Sequence, residues 1–488
     1  NPQKVPPVVN HGTPEFPDYA ATRYYSSDFT EKRMVSYFGR LGYNYKQRYL
    51  LEFTFRRDGS STFGEGNRWA NFPSVAVGWS FSEEPFIKRL TGGWLNWGKI
   101  RGSYGKSGQT FTSAYLAHGL MNIMDKSFFG KTGITTDKPV SPYLTWEKTR
   151  QYDLGLDMDM FNYRLNVKLD YYYKYTSSLI YDIPIPGSLY AFGAQVENAM
   201  EISNEGLELE LQADILRESA VSWRMKFNMA RNWNRFEKSY SGKDVVDGDG
   251  TLLVVGRPLN GLYVWAHRGY YNSDAEVPRL YKIDGQEIYF NGVATNGISG
   301  AVGDYRLLDL DGDGNPDSYY AGSPLPLAHG GWVNELMWKN FDLNVLVNFT
   351  IGRKMINNRM GLGFSRQSED GHLTKLFDYR KLRPWDGVNK KPNAPAWGNS
   401  LSMNTDSAIE KVHHLALKQI TLGYNLPDRI SKKAGLSGVR FFLTAENLFY
   451  LSNYSGGNPE VVNIYTGRDN GDTYPLPRKY TLGLTLNF

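Results

Sequence analysis

From Tyr480 onward every second residue is apolar. Tyr480, Leu482, Leu484, Leu486 and Phe488 alternate with Thr481, Gly483, Thr485 and Asn487. Residues 165–174 repeat the rhythm, with Leu165, Val167, Leu169, Tyr171 and Tyr173 set against Asn166, Lys168, Asp170, Tyr172 and Lys174. So do Tyr152/Leu154/Leu156/Met158, Leu207/Leu209/Leu211, Trp223/Met225/Phe227/Met229 and Phe341/Leu343/Val345/Val347/Phe349. A period of two describes strands with one apolar face. The pattern predicts thirteen of them, near 34–45, 49–57, 74–82, 97–106, 150–160, 164–180, 205–214, 221–233, 329–338, 341–352, 413–424, 438–448 and 478–488. Several reach the ~10 residues that cross a bilayer at a tilt.

The connections sort into two kinds. Lys46–Arg48, Phe161–Tyr163, Arg217–Ala220 and Lys339-Asn340 are tight turns. Between them come long polar stretches at 107–149, 181–204, 234–328, 353–412 and 449–477. Two medium connections on the short side, 83–96 and 425–437, have room for brief helices at Glu84–Leu90 and Asp428–Ala434. Bacterial outer-membrane barrels have short periplasmic turns and long outer loops, whereas a soluble sandwich has no reason to sort its loops by side. Aromatics at strand ends (Tyr45, Tyr49, Trp79, Trp338, Tyr480) suit interfacial girdles. The expected fold is therefore all-β, a transmembrane antiparallel β-barrel. Its apolar face meets lipid and its polar face lines the lumen. Glu52, Arg56, Asp153, Asp157, Lys168, Asp170, Glu208, Glu210, Arg224 and Lys226 point inward. They mix both signs, so no single-sign ring marks an ion-selective pore.

Composition refines this picture without changing it. With 41% hydrophobic and 22% charged residues, the 488-residue chain is not a disordered one. No window approaches the ~18 consecutive apolar residues of a spanning helix. A mean hydropathy of -0.48 is compatible with a barrel, whose apolar residues are diluted one in two. Cysteine is absent, and the net charge of +5 comes from interspersed charges, which gives nucleic-acid binding no support. The opening Asn1-Pro2-Gln3-Lys4 is not a signal peptide.

Several short motifs then converge. Arg57-Asp58-Gly59-Ser60-Ser61 is followed by Asn71-Phe72-Pro73-Ser74 and Gly78-Trp79, and Leu95 precedes Arg101-Gly102-Ser103-Tyr104-Gly105. Asn204-Glu205-Gly206-Leu207-Glu208-Leu209, Gly256-Arg257-Pro258 and Gly322-Ser323-Pro324 follow. Last come Ile420-Thr421-Leu422-Gly423-Tyr424, Lys433-Ala434-Gly435, Glu446-Asn447-Leu448 and Tyr474-Pro475-Leu476-Pro477-Arg478. Their number and order, from Met34 onward, resemble the SusC/RagA branch of the TonB-dependent outer-membrane transporters. Thr481-x-Gly483-x-x-Leu486-x-Phe488 also resembles the terminal strand signal of outer-membrane barrels.

The resemblance implies a 22-stranded plugged barrel, of which this chain supplies C-terminal strands. Residues 1–33 then read as an extracellular loop segment and 34–488 as the C-terminal part of the barrel. It further implies import of an oligosaccharide or oligopeptide across the Gram-negative outer membrane, with a SusD-like lipoprotein lid. TonB would couple through an N-terminal region not recognisable here. A passive porin, an outer-membrane enzyme and a soluble β-rich binding module are the competing readings. Aromatics in the long loops (Tyr190, Trp265, Tyr270, Tyr271, Trp397) would stack on sugar rings, cover apolar surface or dock the lid.

Catalytic patterns are unconvincing. Gly105-Lys106-Ser107 lacks the earlier glycine of a phosphate-binding loop and lies in a strand pattern. His413-His414 would point to opposite faces of a strand. Glu83-Glu84 before Pro85 would start a short helix. No cofactor is required by the transport reading. One segment has calcium-loop spacing: Asp309, Asp311, Asp313 and Asp317 at positions one, three, five and nine, with Asn315 offering its carbonyl. Tyr320 stands where a bidentate carboxylate belongs, so a plain Asp-Gly turn is the alternative reading.

Overall fold

The computed structural model describes residues 30–488 except 111–113, 120, 129–130, 137–138, 191, 218, 247–251, 278, 282–286, 290–301, 311, 313–316, 359–382, 389–390, 397–404 and 472. Thirteen long strands form one continuous antiparallel sheet, each paired with its neighbours in sequence. They are β1 Met34–Tyr45, β2 Tyr49–Ser60, β3 Trp69–Trp79, β4 Leu95–Gln109 and β5 Glu147–Met160. β6 Leu165–Pro184, β7 Ala194–Leu216, β8 Val221–Lys238 and β9 Ala328–Trp338 continue the sheet. β10 Phe341–Asn357, β11 Ile409–Asn425, β12 Gly438–Ser452 and β13 Lys479–Asn487 complete it. All thirteen expected strands are present. Among the described residues, β1 and β13 each have one long-strand partner, so the sheet has two open edges.

Register carries the alternation across the sheet. Leu154 faces Tyr171 and Tyr171 faces Leu207. Phe227 faces Trp332, which faces Val347, which faces Leu417. The apolar face remains uncovered: Leu41, Leu154, Leu443 and Leu482 are among its exposed side chains. An apolar surface this extensive needs a lipid neighbour. At the turn ends the aromatics pair: Tyr45 with Tyr49, Trp94 with Phe161, and Trp338 with Phe341. The tight turns hold Lys46, Gln47, Phe161, Asn162, Tyr163 and Lys339 at positive φ. The two brief helices form at Pro85–Thr91 and Asp428–Ser431, the latter extended by a 3-10 turn to Ala434.

The strands exceed their expected lengths, always toward the long connections. β6 and β7 run for 20 and 23 residues, roughly twice what a tilted bilayer crossing needs. The connection expected over 181–204 therefore shrinks to 185–193, which holds a short helix at Gly187–Tyr190. Alternation fails there for a physical reason. Register shifts between Thr176 and Ile180 slip the faces, and outside lipid an apolar stripe on one face is no longer required. Val196 and Met200 are instead buried against the loops.

The long connections are built structures rather than bare coil. They carry hairpins pairing Met121–Phe128 with Lys131–Thr136, Leu262–Trp265 with Ser318–Gly322, and His267–Tyr270 with Tyr305–Leu307. The dry cores of the molecule lie at this end. Phe63, Phe72, Leu144 and Trp146 form one, Leu262, Val264, Ala321 and Ile356 a second, and Met355, Val412, Tyr454 and Val462 a third.

Candidate functional site

The polar face of the sheet is laced by ion pairs between neighbouring strands. Arg101 on β4 reaches Asp157 on β5 at 3.0 Å and Asp170 on β6 at 2.5 Å. Lys168 pairs with Glu210 at 3.2 Å, Arg224 with Asp214 at 2.7 Å, Lys226 with Glu335 at 2.7 Å and Arg440 with Asp342 at 2.5 Å. Nine of the ten expected inward residues lie on this face in pairs, hydrogen bonds or alternation with them; Ser103 Oγ, for instance, donates to Asp153 at 3.0 Å. The tenth, Arg56, pairs with buried Asp58 at 2.7 Å and lies over the Phe72 ring. Charges of both signs on a half-hydrated wall cancel locally, which makes the wall wettable without a strong net field. A cleft of 460 Å³ runs along this face near Glu52, Lys99, Arg101 and Asp153.

At the loop end the connections after β8 and β10 are locked together. Trp265 bridges Thr405, His267 Nδ1 bonds the Asp406 carboxylate, and the Ser407 hydroxyl donates to Tyr305 OH at 3.0 Å. Tyr270 stacks on Tyr305 with centroids 5.3 Å apart. Burial pushes both phenols above their ordinary range, and pushes Tyr263 up to about 12, so all three stay neutral donors at any physiological pH.

The connection after β12 folds over the polar face. Arg353, only 7% exposed, donates from Nη1 to Pro459 O at 3.2 Å. Its Nη2 donates to Val462 O at 2.9 Å and Asn463 O at 2.8 Å. These carbonyls surround the end of a 3-10 turn at Pro459–Val461, where partial negative charge collects. Lys418 pairs with Glu460 at 3.0 Å and fastens the same segment. Beside it opens a cleft of 450 Å³ lined by Tyr450, Glu460, Thr473, Pro475 and Arg478.

The residues singled out from sequence divide as follows. Tyr270 and Tyr271 are buried and cover apolar surface, so they offer no open ring to a ligand. Trp265 is half-buried; Trp397 and the side chain of Tyr190 lie outside the described residues. The exposed aromatics at this end are Tyr143, Tyr465, Tyr474 and Tyr450, and no periodicity distinguished them. His414 is buried against Tyr450 while His413 is exposed, as opposite strand faces require. Lys106 lies within β4. Glu84 does stand just before the helix, but its carboxylate accepts from Tyr49 OH at 2.7 Å and faces Arg48 at 3.4 Å instead of capping the helix.

Of the calcium-loop residues, Asp311, Asp313 and Asn315 lie outside the described residues. Asp309 Oδ1 accepts from Gly312 N at 2.6 Å, and Asp317 Oδ2 accepts from Leu310 N at 2.5 Å. Among the described residues, no group of three or more His, Cys, Asp or Glu side chains converges on a metal position.

Comparison with known proteins places this geometry. Residues 6–323 match a family described as TonB dependent receptor-like, beta-barrel. TonB-dependent receptor P26 of Formosa agariphila is 32% identical over 95% of this chain and 47% of its own length. TonB-dependent receptor SusC of Bacteroides thetaiotaomicron is 29% identical over 97% of this chain and 45% of its own. The chain thus spans about half the length of these relatives. A solved structure of the RagAB peptide transporter superposes with a TM-score of 0.75 at 24% identity, covering 94% of this chain and 48% of that one. At that identity the likeness concerns the fold.

Proposed function

Because the chain belongs to the TonB-dependent receptor β-barrel family of the bacterial outer membrane, we propose that it forms part of the wall and outer loops of an energy-coupled nutrient importer. The observation that carries the reading is the division of the sheet. One face is apolar and exposed along thirteen strands, and the other is a charge-compensated wall. All the elaborated loops sit at one end. Such a wall suits a wide aqueous lumen that a polar oligomer crosses without sticking to a single charge.

The cargo class is a nutrient oligomer, an oligosaccharide or an oligopeptide. A name supports each: SusC among the relatives and a peptide transporter among the structures. The long-loop end is the extracellular end, by the general asymmetry of outer-membrane barrels. Loops this long and this mutually fastened are more than connections, and we assign them to holding a SusD-like surface lipoprotein. Energy reaches the lumen through TonB. The relatives are receptors, and no residue here takes an enzymatic role in the reading.

Purification of the native full-length protein in mild detergent tests the assembly. Co-isolation of a surface lipoprotein is expected. Recovery of the transporter alone under several mild conditions, with uptake intact, would remove the lid from the account.

A further inference from the structure

Above the apolar band the lipid-facing side of β4 and β5 changes character within a few residues. In register across the two strands, Ile100 faces Leu156, Gly102 faces Leu154, Tyr104 faces Tyr152, and then Lys106 faces Arg150. The two tyrosine rings touch, with centroids 4.8 Å apart. Two residues further along β5, alternation brings Lys148 to the same face, and all three cations are exposed. None of them forms an ion pair among the described residues, in a sheet whose other face is laced with them.

Like charges directly opposite on an antiparallel pair repel. Arg150 and Lys106 hold that arrangement with no acid between them. The acids nearest on the same side belong to β7 and are engaged elsewhere: Glu201 with Tyr175 and Lys238, and Glu205 with Tyr171. The cations stand one step (~7 Å along the strand) beyond the tyrosine row. Since Tyr and Trp girdles mark the membrane–water interface, that step is the depth of the headgroups.

We propose that Lys106, Arg150 and Lys148 bind the phosphate of an anionic, phosphorylated glycolipid headgroup in the outer leaflet, with Tyr104 and Tyr152 packing against its acyl or sugar portion. A phosphate between Arg150 and Lys106 converts their repulsion into two charge-assisted contacts. The site is a lipid contact on the outside of the wall, distinct from cargo handling within it. The inference rests on the long-loop end facing the outer leaflet.

The test uses the full-length protein in detergent, with wild type compared with the triple variant Lys106→Gln, Arg150→Gln, Lys148→Gln. The three side chains are exposed, so the variant should fold and remain heat-modifiable. Thermal stabilisation is measured with diphosphorylated lipid A, with the same lipid dephosphorylated, and with inorganic phosphate. Diphosphorylated lipid A should stabilise the wild type, and the triple variant should bind it at least ~10-fold more weakly, the loss expected from removing charge-assisted contacts. The dephosphorylated lipid and inorganic phosphate should have little effect on either. Equal stabilisation of wild type and variant, or equal stabilisation by inorganic phosphate alone, overturns the site. Orientation is checked separately by labelling Tyr143→Cys on intact cells with an impermeant reagent. Absence of label there would sink the placement of the loop end and not the chemistry of the cluster.

Discussion

The ring of Phe442 on β12 lies over Gly483 on β13, its direct partner in register, so closely that a Cβ at Gly483 would fall inside the ring. Gly423 of β11 flanks Phe442 on its other side, and Arg440 stacks on the ring at 5.5 Å. A glycine in a strand interior often marks such a close approach. Here it seats the last strand of the sheet on its neighbour.

Gly483→Leu should therefore unseat β13. Overpacking a filled position costs roughly 1–3 kcal/mol, and assembly into the outer membrane should fall accordingly. Semi-native electrophoresis of membranes reads this as loss of the heat-modifiable form. Gly483→Leu combined with Phe442→Ala should recover part of it, because the clash is with that one ring.

Val347 lies in the apolar row between Trp332 and Leu417, while Asn348 pairs with Gly331 and Ala416 on the polar face. An arginine at Val347 should cost ~2–4 kcal/mol if the residue lies near the bilayer midplane. The same change at Asn348 should cost little. Cysteine labelling with a membrane-impermeant reagent distinguishes the faces: Asn348→Cys reacts through the lumen and Val347→Cys does not.

The Tyr49 hydroxyl, together with the Arg48 guanidinium, holds the Glu84 carboxyl below its ordinary value of 4.5. An unfolded chain takes up that proton before the folded one does. The contact therefore stabilises fully above the unfolded value and is lost as pH falls through the folded one. Glu84→Gln should lower the melting temperature at neutral pH, and the difference from wild type should shrink toward pH ~3. A difference that does not depend on pH would assign the effect to packing.

Calcium held by Asp309, Asp311, Asp313, Asn315 and Asp317 is a separate proposal, resting on ligand spacing. Asp309 and Asp317 already draw the loop closed through Gly312 N and Leu310 N, which brings its two ends together. A bound cation should protect the segment from proteases in calcium and leave it labile in chelator. Identical cleavage in both conditions leaves the Asp-Gly turn.

The wall of the molecule was legible because lipid imposes a strict rule. Along Phe341, Leu343, Val345, Val347 and Phe349 every second position meets hydrocarbon, and a slip of one residue would bury Asp342 and Asn344 in it. Above the bilayer that rule lapses. Val196, Met200 and Ile356 are buried by loops instead, bulges reset the faces, and the strand signal stops short of the strand. The loop architecture depends on contacts between residues far apart in the chain, such as Asp406 with His267 and Arg353 with Val462 O. No local period encodes those. The same holds for Tyr270, whose aromatic type suggested a ligand platform and whose neighbours make it core.

The central claim is energy-coupled passage through this wall, and uptake tests it most directly. Cells carrying the full-length protein as their only route for a candidate oligosaccharide or oligopeptide are given that oligomer before and after collapse of the inner-membrane proton gradient. The account predicts rapid uptake that stops when the gradient is lost. Uptake that continues at an unchanged rate would contradict it and identify a passive pore.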